Sequence, residues 1–214
     1  MTNPLIITEI YPSIQGESSY AGLPCTFIRL TGCPLRCRWC DTTYSFEGGK
    51  PLTVEDILAQ VGQHGIPLVE LTGGEPLAQK ETIKLAQMLG DQGYKVLIET
   101  GGSEDVSQLD ARVHIIMDIK CPGSGMVDRN LWSNIDSLKT SDEIKFVIAH
   151  REDYDWALRV INGRKLERFN LLFSPAFGLL QPKQLAEWMV EDKVKARLNL
   201  QQHKYIWHPR AKGV

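Results

Sequence analysis

The chain has 214 residues, enough for one compact domain with a substantial core and marginal for two. Apolar residues make up 43% of it and charges of both signs are interspersed, which excludes long disorder; no run approaches the roughly 20 apolar residues of a membrane helix. A formal net charge of −2 gives no bulk attraction to nucleic acid, and the opening MTNPLIITEIYP lacks the basic region and apolar stretch of a leader, so a cytoplasmic protein without membrane or direct nucleic-acid binding is expected.

The first short, β-rich apolar run, Thr26–Leu30, predicts a buried strand. Helical spacing follows at Thr53–His64, where Thr53 and Asp56 resemble a capping box and Ile57, Leu58 and Val61 make one apolar face. Leu68–Leu71 predicts a second strand and Leu77–Leu89 a helix; Lys95–Glu99 and His114–Asp118 predict strands, and Asp128–Leu138 a helix. Glu143–Ile148 and Asn170–Phe173 complete the strands, with helices at Arg151–Ile161 and Pro182–Val190; in the last, Pro182 suits a first turn and Leu185, Trp188 and Met189 form the stripe. Six strands alternating with helices imply parallel βα units in an α/β fold, wound right-handed as an open or partial barrel within a single domain over residues 1–214.

The unusual residues cluster just after these strands, at Thr31-Gly32-Cys33, Thr72-Gly73-Gly74-Glu75, Thr100-Gly101-Gly102, Lys120-Cys121-Pro122-Gly123 and Ser174-Pro175. That edge is where parallel α/β folds assemble active sites. Three of the five cysteines, Cys33, Cys37 and Cys40, form a C-x3-C-x2-C string in one loop, which in a reducing compartment points to metal chemistry rather than disulfides. Three thiolates can hold one cluster while leaving a metal position open, whereas a structural zinc or fully ligated cluster needs a fourth ligand, from Cys25, Cys121 or a histidine.

The cysteine string, with Thr72-Gly73-Gly74-Glu75-Pro76 after the second predicted strand, resembles the signature of the radical S-adenosylmethionine (SAM) superfamily. Ile14-Gln15-Gly16-Glu17, Phe27-Ile28-Arg29-Leu30, Cys40-Asp41-Thr42, Leu71–Pro76, Ile98–Gly102, Asp142–Lys145 and Gln202–Tyr205 narrow it: together they are similar to the 7-carboxy-7-deazaguanine synthase family, over most of the chain. The resemblance implies a truncated, partial radical-SAM barrel, usually a homodimer. It implies conversion of 6-carboxy-5,6,7,8-tetrahydropterin to 7-carboxy-7-deazaguanine with loss of ammonia on the queuosine pathway. The cofactors implied are a 4Fe–4S cluster, SAM and Mg2+, with a flavodoxin or ferredoxin as electron donor.

Carried over residue by residue, the resemblance puts the cluster on Cys33, Cys37 and Cys40 and Mg2+ on Thr42, with Asp41 assisting the ion or only positioning the loop. It puts SAM beside Trp39, Asp41, Gly74, Asp118, Ile119 and Lys120, and the substrate beside Ile14, Gln15, Gly16, Glu17, Arg29 and Thr72. Asp118 and Lys120, two residues apart on one strand face, also read as a pair with neighbours. Arg29 interrupts an apolar strand, where an unpaired guanidinium is costly; a substrate carboxylate, or an internal partner such as Glu17 or Glu70, would settle it. Ser174 stands where some members of the family have glutamine, and His203, read as part of a final strand, and Lys204 could face the site. Two rival readings stand beside this one: an activase of a glycyl-radical enzyme, which shares the cysteine loop, and a zinc-stabilised binding module without catalysis.

Overall fold

The structure is a computed structural model and describes residues 3–214. Nine strands form one sheet: β1 Leu5–Ile14, β2 Pro24–Leu30, β3 Lys50–Leu52, β4 Leu68–Gly73, β5 Lys95–Thr100, β6 His114–Asp118, β7 Glu143–Ile148, β8 Asn170–Pro175 and β9 Arg197–Leu198. Their order is β3-β1-β2-β4-β5-β6-β7-β8-β9. From β2 through β9 every neighbouring pair is parallel, while β1 pairs antiparallel with β2 and β3. The six predicted strands are therefore β2 and β4 to β8, in sequential order, as repeated right-handed crossovers produce. Residues Ile14 to Glu17 do not precede the first strand, as the apolar runs alone suggest; they leave β1 and lead into β2. The half-exposed pattern of β1, broken by Glu9 and Pro12, hides it from a search for buried runs.

Four helices cover one face: α1 Val54–His64, α2 Glu81–Asp91, α3 Arg151–Arg164 and α4 Pro182–Glu191, with a one-turn α5 at His203–Ile206. Their apolar stripes meet alternate strand residues, among them Ile28, Leu71, Ile98, Ile115, Phe146 and Phe173, in the main core. The capping box of α1 forms as predicted: the Asp56 amide donates to Thr53 Oγ1 at 3.1 Å and the Thr53 amide to Asp56 Oδ2 at 3.4 Å. Two predicted helices differ. The Leu77–Leu89 helix begins only at Glu81, because Glu75 and Pro76 make a separate 3-10 turn and Gln79 binds the backbone of Ile6 and Thr31. Asp128–Leu138 is not an α-helix but 3-10 turns at Val127–Arg129 and Trp132–Ser137. There the amides of Asn130 and Asn134 bind the backbone of Lys120, Val127, Gly102, Glu104 and Val106, competing with helix formation. His203 lies in α5 rather than in a final strand.

The opposite face of the sheet is split. Near the strand starts it is apolar, with Cys25, Phe27, Leu68, Leu97, Ile116 and Leu172 forming a second cluster. Toward the strand ends it turns polar: Arg29, Glu70, Thr72, Glu99, Asp118, Lys145 and Ser174 all line one cavity. The period of two thus builds an apolar floor beneath a charged chamber.

Candidate active site

The cavity, about 900 Å³, sits at the carboxyl ends of the parallel strands. Every residue expected at the site lines it except Ile119, which is 2% exposed in the main core and donates its amide to the Lys145 carbonyl. An Ile119 side-chain contact with a cofactor is thereby excluded. Flanking Asp118 and Lys120 face the chamber and pair at 3.0 Å.

Cys33, Cys37 and Cys40 are half-buried, free thiols on the loop after β2. Burial pushes the Cys33 and Cys37 thiols up, opposed by the Lys120 ammonium. The Gly73-Gly74 pair brings the next loop against this one: the Gly74 amide donates to the Leu30 carbonyl and the Glu75 amide to the Gly32 carbonyl at 2.8 Å. A Cβ on Gly74 would stand 2.1 Å from the Gly32 oxygen, so no side chain fits there. Glu75, fully buried, fastens the loops after β4 and β5 by accepting from the Leu77 and Gly101 amides and the Thr100 hydroxyl.

Arg29 does not pair with Glu17 or Glu70. Its Nε donates to Glu9 Oε1 at 2.8 Å and its Nη2 to the Tyr11 hydroxyl at 2.9 Å, while Tyr44 donates to the same Glu9 oxygen. Burial opposes the Arg29 charge, and Tyr11, Tyr44 and Glu9 outweigh it, so the guanidinium stays protonated. Both Nη1 N–H groups and one on Nη2 remain for a ligand. Across the chamber, Lys145 bridges Glu17 and Glu99, and Gln201 donates to Glu17 at 2.9 Å. Burial would raise the Glu17 carboxyl, but Lys145 and the Gln201 bond win and bring it down to about 2, so Glu17 is a carboxylate. Lys204, reaching back from α5, pairs with Asp41 beside Cys40, and the Gln202 amide donates to the Gly16 carbonyl. Asp41 is thereby tied to α5. His203 packs over Gly16, whose missing Cβ would meet its Nδ1 at 2.5 Å. Ser174, on the chamber wall, accepts from Asn199 Nδ2 at 2.8 Å.

Sequence reasoning missed Glu9, Tyr11, Tyr44, Glu99 and Lys145, and named Glu70 only as a possible partner of Arg29. Glu70 and Glu99 carried the signal that exposed Arg29, a charge inside an apolar strand.

A model of the Radical SAM superfamily matches residues 27–121. A 7-carboxy-7-deazaguanine synthase of Chlorobaculum tepidum is 48% identical over 99% of this chain and 98% of its own length. One of Koribacter versatilis is 46% identical over 97% and 99%. This chain belongs to the 7-carboxy-7-deazaguanine synthase family. The crystal structure of QueE from Escherichia coli shares the fold, with a TM-score of 0.78 at 24% identity over 94% of this chain and 95% of that one.

Membership of this radical-SAM lyase family implies a 4Fe–4S cluster and SAM, and sets aside the activase and zinc-module readings. The chamber fits both groups. Among the described residues no three His, Cys, Asp or Glu side chains converge on a point as a single ion requires, whereas a cubane takes each thiolate on a different iron. Asp118 Oδ1 is buried with no hydrogen-bond partner on the chamber wall, an acceptor left for a ligand's donor.

Proposed function

We infer that this chain converts 6-carboxy-5,6,7,8-tetrahydropterin to 7-carboxy-7-deazaguanine with release of ammonia, in the cytoplasmic queuosine pathway. The single observation carrying the reading is one chamber that has three free thiols on one wall and an Arg29, Gln15 and Glu17 constellation on another. A bicyclic pterin with one carboxylate needs those groups: a cation for the carboxylate, and amide and carboxylate partners for its Watson–Crick-like edge.

Cys33, Cys37 and Cys40 would hold the cluster, with SAM between Gly74, Trp39 and the Asp118–Lys120 pair. When bound, these groups supply the one-electron chemistry that removes a hydrogen atom from a carbon. The protein's own residues orient the substrate. Glu17, held as a carboxylate by Lys145, accepts from the ring N–H and the exocyclic amine, and Gln15 meets the neighbouring oxo group. Arg29 meets the substrate carboxylate with its free N–H groups. Glu9 already pairs with Arg29, so Mg2+, which Thr42 of the same chamber would hold through its hydroxyl, would supply a second positive charge for the substrate carboxylate. Apolar Phe27 and Leu97 close the floor beneath, keeping water from the reacting centre. A flavodoxin or ferredoxin would supply the electron, and the working unit is a homodimer.

The test is anaerobic incubation of cluster-loaded protein with SAM, dithionite and the carboxypterin, with mass analysis of products. The expected product is 7-carboxy-7-deazaguanine; unchanged carboxypterin alongside active SAM cleavage would sink the assignment.

A further inference from the structure

Glu70 sits mid-strand in β4, 2% exposed, between Phe27 of β2 and Leu97 of β5 in register. Placing a carboxyl there is costly. Among the described residues no cation pairs with it directly, since Lys145 is taken by Glu17 and Glu99, and Arg29 by Glu9. Its one side-chain hydrogen bond among the described residues is from Gln15 Nε2. The other end of the same amide is also held: Gln15 Oε1 accepts from the Glu17 backbone N–H at 2.8 Å. Gln15 itself is 3% exposed and lines the chamber.

An unanchored glutamine presents either its oxygen or its nitrogen to a ligand by a half-turn of the amide. Here that turn would set Gln15 Nε2 against the Glu17 N–H, donor against donor, and take the nitrogen away from Glu70. Only one orientation satisfies both neighbours, and it leaves one Nε2 N–H for the chamber. Burial and the nearby Glu99 and Glu17 charges raise the Glu70 carboxyl well above the usual carboxylate range.

We propose that Glu70 is a positioning residue that locks the Gln15 amide with its N–H toward the ligand, making the site select an oxo group over an amino group at that ring position. The inference rests on the reading that Gln15 faces the pterin edge. An oxo group accepts this N–H; an amino group in its place opposes donor to donor and leaves both unpaired.

The test measures affinities by calorimetry on cluster-loaded, SAM-bound protein, comparing 7-carboxy-7-deazaguanine with its counterpart carrying an amino group for the oxo. Wild type should prefer the oxo ligand by about a hundredfold. Glu70→Leu, which removes one of the two tethers on the amide, should lose about tenfold of that preference, with unchanged iron content and SAM cleavage. Glu70→Gln restores the acceptor for Nε2 and should stay within about threefold of wild type. If Glu70→Leu fails to fold, Glu70→Met, which likewise offers Nε2 no oxygen acceptor, gives the same comparison. Wild-type preference in a folded Leu or Met variant, no preference in wild type, or a Gln variant as poor as Leu each overturns the proposal. Since binding needs no turnover, failure of the reaction on carboxypterin would be read separately from failure of the lock.

Discussion

Replacing Arg29 by Met separates its observed pairing with Glu9 from its proposed hold on the substrate carboxylate. The Arg29 and Glu9 side chains are only 12% and 20% exposed, so removing the guanidinium strands a mostly buried carboxylate. Breaking a buried pair costs about 3–5 kcal/mol. The Tyr44 hydroxyl, still 2.8 Å from Glu9, and the residual exposure put this case near the lower end, about 3 kcal/mol or a fall of about 6–12 °C in melting temperature for a chain of this size. Adding Glu9→Gln removes the stranded charge, and the double variant should recover about 2 kcal/mol of the loss. Turnover should not follow stability. Both variants should make 7-carboxy-7-deazaguanine at least about a hundredfold more slowly than wild type, while cleaving SAM normally, because the substrate carboxylate has lost its charged donor. Urea unfolding under anaerobic conditions and product analysis of the same samples read the two effects. A stabilised double variant with restored turnover would show that Arg29 only holds Glu9.

Cys37→Ala should lose iron and SAM cleavage together, whereas Cys25→Ala and Cys121→Ala, both at buried positions of at most 1% exposure, should keep both at a stability cost of about 1 kcal/mol; iron and sulfide assays decide. Thr42→Val removes a hydroxyl 3.6 Å from Cys40 Sγ and should leave iron content unchanged while slowing product formation and weakening its response to added Mg2+; equal Mg2+ dependence in both proteins would remove Thr42 from the ion's site. Lys204→Met should free the chain around Asn199–Ile206, seen as faster amide exchange there and at Asp41, with the strands of the sheet unaffected; unchanged exchange at Asp41 would refute the anchor.

The sequence made the parallel sheet legible because its strands are largely buried on both faces and read as short apolar, β-rich runs with few charges. The three-cysteine loop and the Gly73-Gly74 turn were legible because few other chemistries use that order of residues. What stayed hidden was pairwise. Arg29 announced that it needed a partner, but Glu9 lies on the antiparallel β1, whose half-exposed pattern gave no strand signal, and the register of β1 on β2 decides the pairing. Asp128–Leu138 has helical spacing, yet Asn130 and Asn134 find loop backbone to bind, contacts invisible before the loops are in place. Ile119 follows the same rule: carried over with its neighbours, it faces the core because a strand turns alternate side chains away.

The tie between Lys204 and Asp41, with the Gln202 amide on Gly16 and the Asn199 side chain on the Ser18 amide, draws three distant stretches of chain into one wall. Contacts so far apart in sequence form late, after the local βα units have already found their places. The cysteine loop and the sheet can thus exist before the chamber is closed. Until residues near 204 swing back, a cluster held on that loop would face water on the side where substrate belongs, so the order of folding itself decides when the site becomes a safe place for reactive chemistry.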